Sequence, residues 1–319
     1  MLTMFPTPPA GLAGDTIHED ALWIDMFDPD EPTRARVQAA TGLRVPTRDD
    51  ISEIETSSRL SRIGEALYLS VPGLLGTEGG EDRTTPVGFV LAPDWLLTVR
   101  FGHLPAFETY AARCRAGANG DRTSASLLLG LCESLVDRLA DVLEREGEEL
   151  DAVSRRVFRP SGKTRPRRTE TELRAMLRNV GRVGDLISKI RDTLLGLGRI
   201  IPFVLANATW ITSEQKTRLK TLRSDINSLT DYDRHLAGKV QFLLEATLGF
   251  IQIEQSNIIR VLAVVSVVGV PPTFLASMWG MNFARMPELT WTFGYPLALL
   301  VILLSGLAPL IWFRTRGWL

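Results

Sequence analysis

Two long charge-free segments near the C-terminal end place the strongest constraint on the fold. Residues 261–279 and 293–313 contain no charged side chain, and the 62 residues from 258 onward hold five charges. At about 1.5 Å per residue each segment would form a helix about 28–32 Å long, which matches the hydrocarbon core of a bilayer. The pattern predicts two transmembrane helices, 258–279 and 293–313, joined as a hairpin by a loop over 280–292.

The preceding 257 residues have the composition of a globular protein. The whole chain carries 36 basic and 37 acidic side chains, a net charge of -1, and two cysteines. The charge balance argues against a nucleic-acid partner, and two cysteines are too few for a disulfide scaffold. Residues 1–13 contain no Lys or Arg, so no signal peptide is predicted.

The distribution of charge around the hairpin predicts its orientation. Arg260 precedes the first segment, and Arg314 and Arg316 lie in a basic tail over 314–319. In the loop, Arg285 is balanced by Glu288. The positive-inside rule then puts both termini in the cytoplasm and the loop outside. The expected location is the cell inner membrane, with two passes through the lipid bilayer.

Residues 1–118 are predicted to form a cytoplasmic α/β domain. Alternating apolar residues predict strands over 21–27, 66–75 and 86–101, the last with a turn at 92–94. Asp30 followed by Pro32 predicts a helix start. Thr47 and Asp50 form a capping-box pattern for a helix reaching residue 57.

Residues 119–257 are predicted to be helical. Apolar spacing predicts helices over 124–158 and 169–206, joined by a turn within a basic segment, 155–168. This segment is predicted to be either a solvated loop or a contact for anionic lipid headgroups. Residues 194–206 could be taken for a third span, but Arg199, Pro202 and the short length favour a buried core helix.

A third helix is predicted from 213 to 277, continuous with the first transmembrane segment. Apolar residues recur every seven positions along it, with one acidic break at Asp233. The two rows are Leu222, Leu229, Leu236, Leu243 and Phe250, and Leu219, Ile226, Asp233, Val240 and Thr247. We interpret this seam as an oligomer contact. The alternative is a face buried within its own protomer.

The same period continues into the membrane segment as a stripe of small, polar and apolar residues. The stripe consists of Ser256, Ile259, Leu262, Ser266, Val270, Thr273, Ser277 and Gly280. In lipid, such a stripe is typical either of close helix packing or of a lined pore. Its residues alone leave the two possibilities open.

The loop after the first segment carries a specific motif. Trp279-Gly280-Met281-Asn282-Phe283, followed by residues 286–289 (MPEL), resembles the signature of the CorA family of divalent-cation transporters. Residues 270–277 (VPPTFLAS) and 316–319 (RGWL) are also similar to proteobacterial CorA proteins, and the resemblance covers essentially the whole chain.

The resemblance implies a funnel-shaped homopentameric channel with a long helical stalk and the first membrane helix lining the pore. It implies uptake of Mg²⁺, with Co²⁺ and Ni²⁺ as secondary ions, closed by cytoplasmic Mg²⁺ bound between protomers. Met281 favours magnesium, because a related zinc-transporting branch often has Ile there. The family often has Asn at the position of Ser256, so a second amide ring is not expected here.

The residues of the stripe and of the motif are suited to a hydrated ion. The stripe has no carboxylate, His or Cys, and Mg²⁺ gives up its water reluctantly. Gly280, Met281 and Asn282 would form the selectivity filter, and Glu288 would concentrate cations outside. Ile259 and Leu262 could form an apolar gate. For the regulatory metal site the candidates are Asp225, Asp231 and Asp233.

No enzyme activity, organic cofactor or ATP site is predicted, because the membrane potential can drive the ion. Two rival functions remain open. One is a zinc transporter of the same superfamily, and the other is a non-conducting membrane-anchored coiled-coil scaffold, which would not need the Gly-Met-Asn motif.

Overall fold

The computed structural model describes residues 2–6, 17–18, 20–53, 55, 59–75, 83–117, 122–158, 170–281 and 291–317. The chain divides into two compact units. The first comprises Met1–Pro160 and Arg178–Leu244, and the second comprises Ser161–Leu177 and Glu245–Leu319. An α/β layer and a helical bundle make up the first unit, and the apolar helices belong to the second.

The first unit contains a six-stranded sheet in the order β1-β2-β6-β5-β4-β3. The strands are β1 (Leu2–Phe5), β2 (Trp23–Phe27), β3 (Leu60–Ile63), β4 (Ala66–Leu74), β5 (Thr84–Leu91) and β6 (Leu96–Arg100). β2 and β6 are parallel, with Trp23 opposite Leu96, and the other neighbours are antiparallel. The strand predictions for β2, β4 and the β5–β6 hairpin are confirmed, whereas β1 and β3 were not predicted.

Two short helices cover one face of the sheet, and their caps follow the sequence signals. α1 (Glu31–Thr41) begins after Asp30, whose carboxylate accepts from the Thr33 N–H at 3.1 Å. α2 (Arg48–Ser52) begins with the predicted capping box between Thr47 and Asp50. It ends at Ser52 rather than near residue 57, because Glu53 has an extended backbone.

The other face of the sheet packs against helices. α3 (Pro105–Arg115) and α4 (Ser124–Val157) approach closely at Gly130, where an added Cβ would lie 2.4 Å from the Tyr110 ring. α5 (Glu170–Asn207) meets β4 at Gly196, where a Cβ would lie 2.5 Å from Val71. Glycine at position 130 therefore allows α3 and α4 to pack closely on each other, and glycine at position 196 allows α5 to pack directly on the sheet.

Within the first unit, α4, α5 and the part of α6 (Ser213–Trp279) up to residue 244 form a three-helix bundle. Polar contacts join α6 to both neighbours: Lys239 Nζ lies 2.5 Å from Asp151 Oδ1 on α4, and Arg191 Nε on α5 donates to Asp233 Oδ2 at 2.7 Å. Leu194 lies in the segment that was considered as a third transmembrane helix, and it is buried. The prediction that residues 194–206 belong to a core helix is confirmed.

The seam of α6 is buried within its own protomer. Leu219, Leu222, Ile226, Asp233, Leu236, Val240, Leu243 and Thr247 are all buried in a single chain, and Leu229 and Phe250 are partly buried. The interpretation of this seam as an oligomer contact is wrong. The seven-residue period correctly indicates a packed face of α6. The helices that pack against this face are α4 and α5 of the same chain.

The second unit contains the apolar part of α6 and a further helix, α7 (Gly294–Thr315). Among the described residues these two helices are long and apolar enough to cross a membrane. They pack closely at Gly306, where an added Cβ would lie 3.2 Å from the Pro272 side chain. The first of these helices ends at Trp279, where the first span was predicted to end, and α7 covers the predicted second span from residue 294 onward; the start of the first span at 258 stays a prediction, because α6 is continuous there.

Candidate ion pathway

The predicted stripe lies on the side of α6 that faces away from α7. With about 3.6 residues per turn, positions 262, 266, 270, 273 and 277 share one side of the helix, and positions 264, 268, 271, 275 and 279 share the opposite side. Val264, on the second set, is 9% exposed and Leu275 is half-buried, while Ile259 and Leu262 on the stripe are each 66% exposed. Packing against α7 therefore leaves the stripe open on a single chain.

The stripe offers neutral oxygens and apolar surface. Ser266, Thr273 and Ser277 are exposed hydroxyl residues, and Ile259, Leu262 and Val270 are exposed aliphatic residues. Thr273 Oγ1 donates to the Gly269 carbonyl at 2.8 Å, so its lone pairs remain available to a water molecule. A surface of this kind suits a hydrated cation better than a bare one, which would require anionic or multiple oxygen ligands.

At the outer end of α6, backbone hydrogen bonds continue the helical turn through Gly280 and Met281 of the Gly-Met-Asn motif. Gly280 N–H donates to the Ala276 carbonyl at 3.0 Å, and Met281 N–H donates to the Met278 carbonyl at 3.4 Å. The Met281 side chain is exposed. Asn282 and Glu288, the other predicted residues of the filter and the outer loop, lie outside the described residues.

The three candidate sensor carboxylates have different environments. Asp233 is fully buried against Arg191, and its Oδ1 has no partner among the described residues. Burial raises the pKa of Asp233, although Arg191 opposes this shift. Asp231 is exposed and forms an ion pair with Arg234 at 2.6 Å, and Asp225 is exposed. The structure therefore does not bring the three together.

Asp137, a carboxylate missed in the sequence, lies close enough to Asp225 to interact with its charge. Burial raises the pKa of Asp137 on α4, and the neighbouring charges of Glu133, Asp141 and Asp225 raise it further, while Arg113 lowers it. The sequence does carry a signal for this residue: acidic side chains at positions 133, 137 and 141 are four residues apart and therefore form a row on one face of α4. The described residues of one chain contain no group of three or more potential metal ligands close enough to hold an ion.

The basic segment is only partly described. Arg155 and Arg156 are exposed in the last turn of α4, and residues 159–169 lie outside the described residues. Charges of this sign repel Mg²⁺, so this segment is a poor place for a metal sensor.

Comparison with known proteins agrees with the motif and the fold. The family model for the CorA-like Mg²⁺ transporter protein matches residues 18–315. The magnesium transport protein CorA of Salmonella typhimurium is 35% identical over 302 residues, which is 94% of this chain and 92% of that protein; the Escherichia coli K12 protein gives the same values.

Among solved structures, the complete CorA magnesium transporter from Methanocaldococcus jannaschii superimposes with a TM-score of 0.76 over 100% of this chain and 98% of that chain, at 17% identity. At this identity the likeness concerns the fold, whereas the family model and the 35% identical relatives concern the sequence itself. The chain therefore belongs to the CorA family of Mg²⁺ transporter proteins.

Proposed function

We propose that this chain forms a passive uptake channel for hydrated Mg²⁺, and also for Co²⁺ and Ni²⁺, driven by the membrane potential. The observation that carries the proposal is the stripe on α6, which is free of charged ligands and faces away from α7. Relatives that share most of the chain are magnesium transport proteins. A potential of 100 mV supplies about 4.6 kcal/mol for a divalent ion, so no chemical energy source is needed.

The channel would be a homopentamer with α6 innermost. Because the seam of α6 is filled within the protomer, the support comes from other faces of the helix. The large apolar side chains of Phe242, Leu248 and Ile253 are exposed on a single chain, as are Ile259 and Leu262 farther along. A neighbouring copy would cover part of this surface, and the remaining stripe would line the axis.

The filter would be formed by five copies of Gly280, Met281 and Asn282. An amide oxygen can accept hydrogen bonds from the water shell of Mg²⁺ without stripping it. Glu288 would attract cations to the outer mouth. Deeper in, Ser266, Thr273 and Ser277 would present hydroxyl oxygens to the same shell.

The gate would lie at the inner end of the stripe. Rings of Ile259 and Leu262 would form an apolar constriction that empties of water when it narrows. Ser256 would add a ring of hydroxyls beside this constriction. Small rotations of α6 would widen the constriction because the helix continues from the bundle into the membrane segment.

Closure would be controlled by Mg²⁺ held between protomers near Asp225. The described residues of one chain contain no group of three or more potential metal ligands, so we place the further ligands of this ion on a neighbouring copy. Asp137 and Asp225 form the acidic surface that favours such an ion, whereas Asp233 already has Arg191 as its partner. An ion bridging two protomers would stabilise the closed state by its higher affinity for that state.

The proposal is tested by ion-resolved uptake into proteoliposomes under an imposed K⁺ diffusion potential, inside negative. We expect uptake of Mg²⁺ that increases with the potential, and uptake of Co²⁺ and Ni²⁺ at lower rates. Uptake of Zn²⁺ with no Mg²⁺ uptake would favour the zinc-transporting alternative. An intact oligomer that moves no ion at any potential would favour the scaffold.

A further inference from the structure

A small cavity lined by polar and apolar side chains lies in the α/β layer of the first compact unit. It has a volume of about 150 Å³ and lies between α2, the edge strand β3 and its neighbour β4. Its lining includes Arg44, Asp50, Glu53, Arg59, Tyr68 and Ser70. Nothing in the proposed conduction mechanism uses this cavity.

The most informative residue in the cavity is Ser70. Its side chain is 5% exposed, and its Oγ has no hydrogen-bond partner among the described residues. Leaving a buried hydroxyl without a partner destabilises the folded state, and native proteins rarely do so. A hydroxyl that lines a cavity and meets no acceptor in the described part of the chain is suited to donate to a bound molecule.

Tyr68 lines the same cavity and presents a second hydroxyl. It lies two residues before Ser70 on β4, so the two side chains point to the same face of the sheet. Tyr68 Oη accepts from the Arg44 N–H at 3.1 Å, which leaves the phenolic proton to be donated. Two hydroxyl donors therefore line the cavity side by side.

Arg59 contributes further donors. Its Nε–H donates to the Glu53 carbonyl at 2.8 Å, which orients the guanidinium at the cavity wall. Within the described part of the chain, the two terminal nitrogens of Arg59 make no hydrogen bond or ion pair. A fork of two such nitrogens matches the geometry of a carboxylate or phosphate.

One of the two acids in the lining is already engaged. Asp50 accepts from the Thr47 N–H at 2.8 Å, from the Thr47 hydroxyl at 2.9 Å and from Arg44 Nη2 at 2.8 Å. These contacts compensate its charge and leave it little capacity for a ligand. The open hydrogen-bonding capacity of the cavity is thus dominated by donors, with the Glu53 carboxylate at its border.

We propose that this cavity is a binding site for a small oxyanion, in which a phosphate or carboxylate group accepts from Ser70, Tyr68 and Arg59. Its volume admits a group of the size of inorganic phosphate or a short carboxylic acid. The group belongs either to a free ion or to a small metabolite that carries it. Titration with free anions tests whether the group alone is sufficient for binding. None of the lining residues belongs to the proposed ion pathway.

The test is isothermal titration of inorganic phosphate into the full-length protein purified in detergent, at constant ionic strength. Sulfate and acetate are titrated in parallel, with chloride as the reference anion. We expect saturable binding of phosphate with one site per chain. Arg59→Ala should weaken the affinity about tenfold or more, and Ser70→Ala about two- to tenfold, as expected for the loss of a charged and a neutral hydrogen bond.

The matched control is Arg62→Ala. Arg62 lies three residues after Arg59, on β3, is exposed, and donates to the Gly64 carbonyl at 2.9 Å, outside the cavity. This variant should bind phosphate like the wild type. Acetate binding with no phosphate binding would identify a carboxylate as the ligand group. The absence of saturable binding for all three anions would overturn the proposal, and so would equal losses in Arg59→Ala and Arg62→Ala.

A second measurement separates a ligand site from a packing defect. Without added anion, Ser70→Ala should melt at the wild-type temperature or above it, because an unsatisfied hydroxyl is removed. With saturating phosphate, the wild type should gain more thermal stability than Ser70→Ala, because the ligand binds the folded state. Equal gains in the two proteins would show that Ser70 does not contact the ligand.

Discussion

Arg100 binds the carboxylate of Asp25 through two nitrogens, with Nη2 2.9 Å and Nε 3.1 Å from Oδ2. The pair joins β6 to β2, the two parallel strands of the sheet, and is almost fully buried. Thr98 Oγ1 donates to Asp25 Oδ1 at 2.7 Å and accepts from Trp23 Nε1 at 3.0 Å. The network satisfies a buried charge and ties together two strands that are far apart in sequence.

We expect Arg100→Met to lower the free energy of unfolding by about 3–5 kcal/mol, because Asp25 would be left as a buried charge without its counterion. Chemical unfolding followed by tryptophan fluorescence measures this effect. The control is Arg234→Met, which breaks the exposed pair with Asp231 and should cost less than about 1 kcal/mol. Equal effects of the two substitutions would contradict the structural role of the buried pair.

Cross-linking should report the pentamer and the orientation of α6. In a background without Cys114 and Cys132, Thr273→Cys lies on the stripe and should give a ladder of cross-linked species that ends at five. Val264→Cys, packed on the opposite side of the helix, should cross-link poorly. Leu243 is unsuitable for this experiment because it is buried within the protomer. A ladder from Thr273→Cys that ends at two would exclude the pore arrangement.

Asn282→Ala and Gly280→Ala should abolish Mg²⁺ uptake while the oligomer persists. The first removes the proposed ring of amides, and the second adds a Cβ where the backbone is expected to turn close to the axis. Uptake into proteoliposomes and size-exclusion chromatography provide the two measurements. Asn257→Ala removes an amide from the side of α6 opposite the stripe and should leave uptake unchanged. Normal transport by both filter variants would refute the assignment.

The sensor proposal predicts different outcomes for the stalk carboxylates. Asp225→Asn and Asp137→Asn should raise the internal Mg²⁺ concentration needed for closure several-fold, because each removes charge from the proposed bridging site. Asp231→Asn is the control on the same helix and should leave the closing concentration unchanged, because Asp231 already pairs with Arg234. The readout is the Mg²⁺ dependence of uptake and of protease sensitivity. If a variant with Asn at 225, 231 and 233 closes at the wild-type concentration, the sensor lies elsewhere.

Asp233 should influence stability in a pH-dependent way. Its folded-state pKa is raised, mainly by burial, so the protonated form is favoured by folding. The associated stabilisation is complete below the ordinary carboxyl pKa and is lost as the pH rises through the folded-state value. Relative to the wild type, Asp233→Asn should therefore gain stability as the pH is raised from about 4 toward neutrality. Unfolding midpoints across this range measure the trend, and the opposite slope would mean that Arg191 outweighs burial.

Several features followed from local sequence because their physical causes are local. The helix starts at Asp30 and Thr47 depend on contacts within three or four residues. The length of the charge-free segments sets the two membrane helices, since a bilayer imposes a fixed thickness. The motif at 279–283 predicted the family, which the family model and the 35% identical relatives confirm.

Other features depended on residues that are distant in the chain. The short strands β1 and β3 exist because β2 and β4 offer them edges to pair with, and four residues alone carry too weak a signal. The seam of α6 predicted a packed face but could not name its partner, because a period of seven describes one surface only. In the folded chain α4 and α5 fill it.

The sequence alone determined the two apolar spans, the continuous helix that leads into the first of them, and the family of the chain. The tertiary structure decided what each face of that helix meets. Arg191, 42 residues before Asp233, turns a candidate metal ligand into a buried ion pair. Packing of Gly306 near Pro272 assigns one side of α6 to α7 and leaves the stripe open. Periodicity fixes which residues share a face, whereas only packing in three dimensions selects the neighbour of that face.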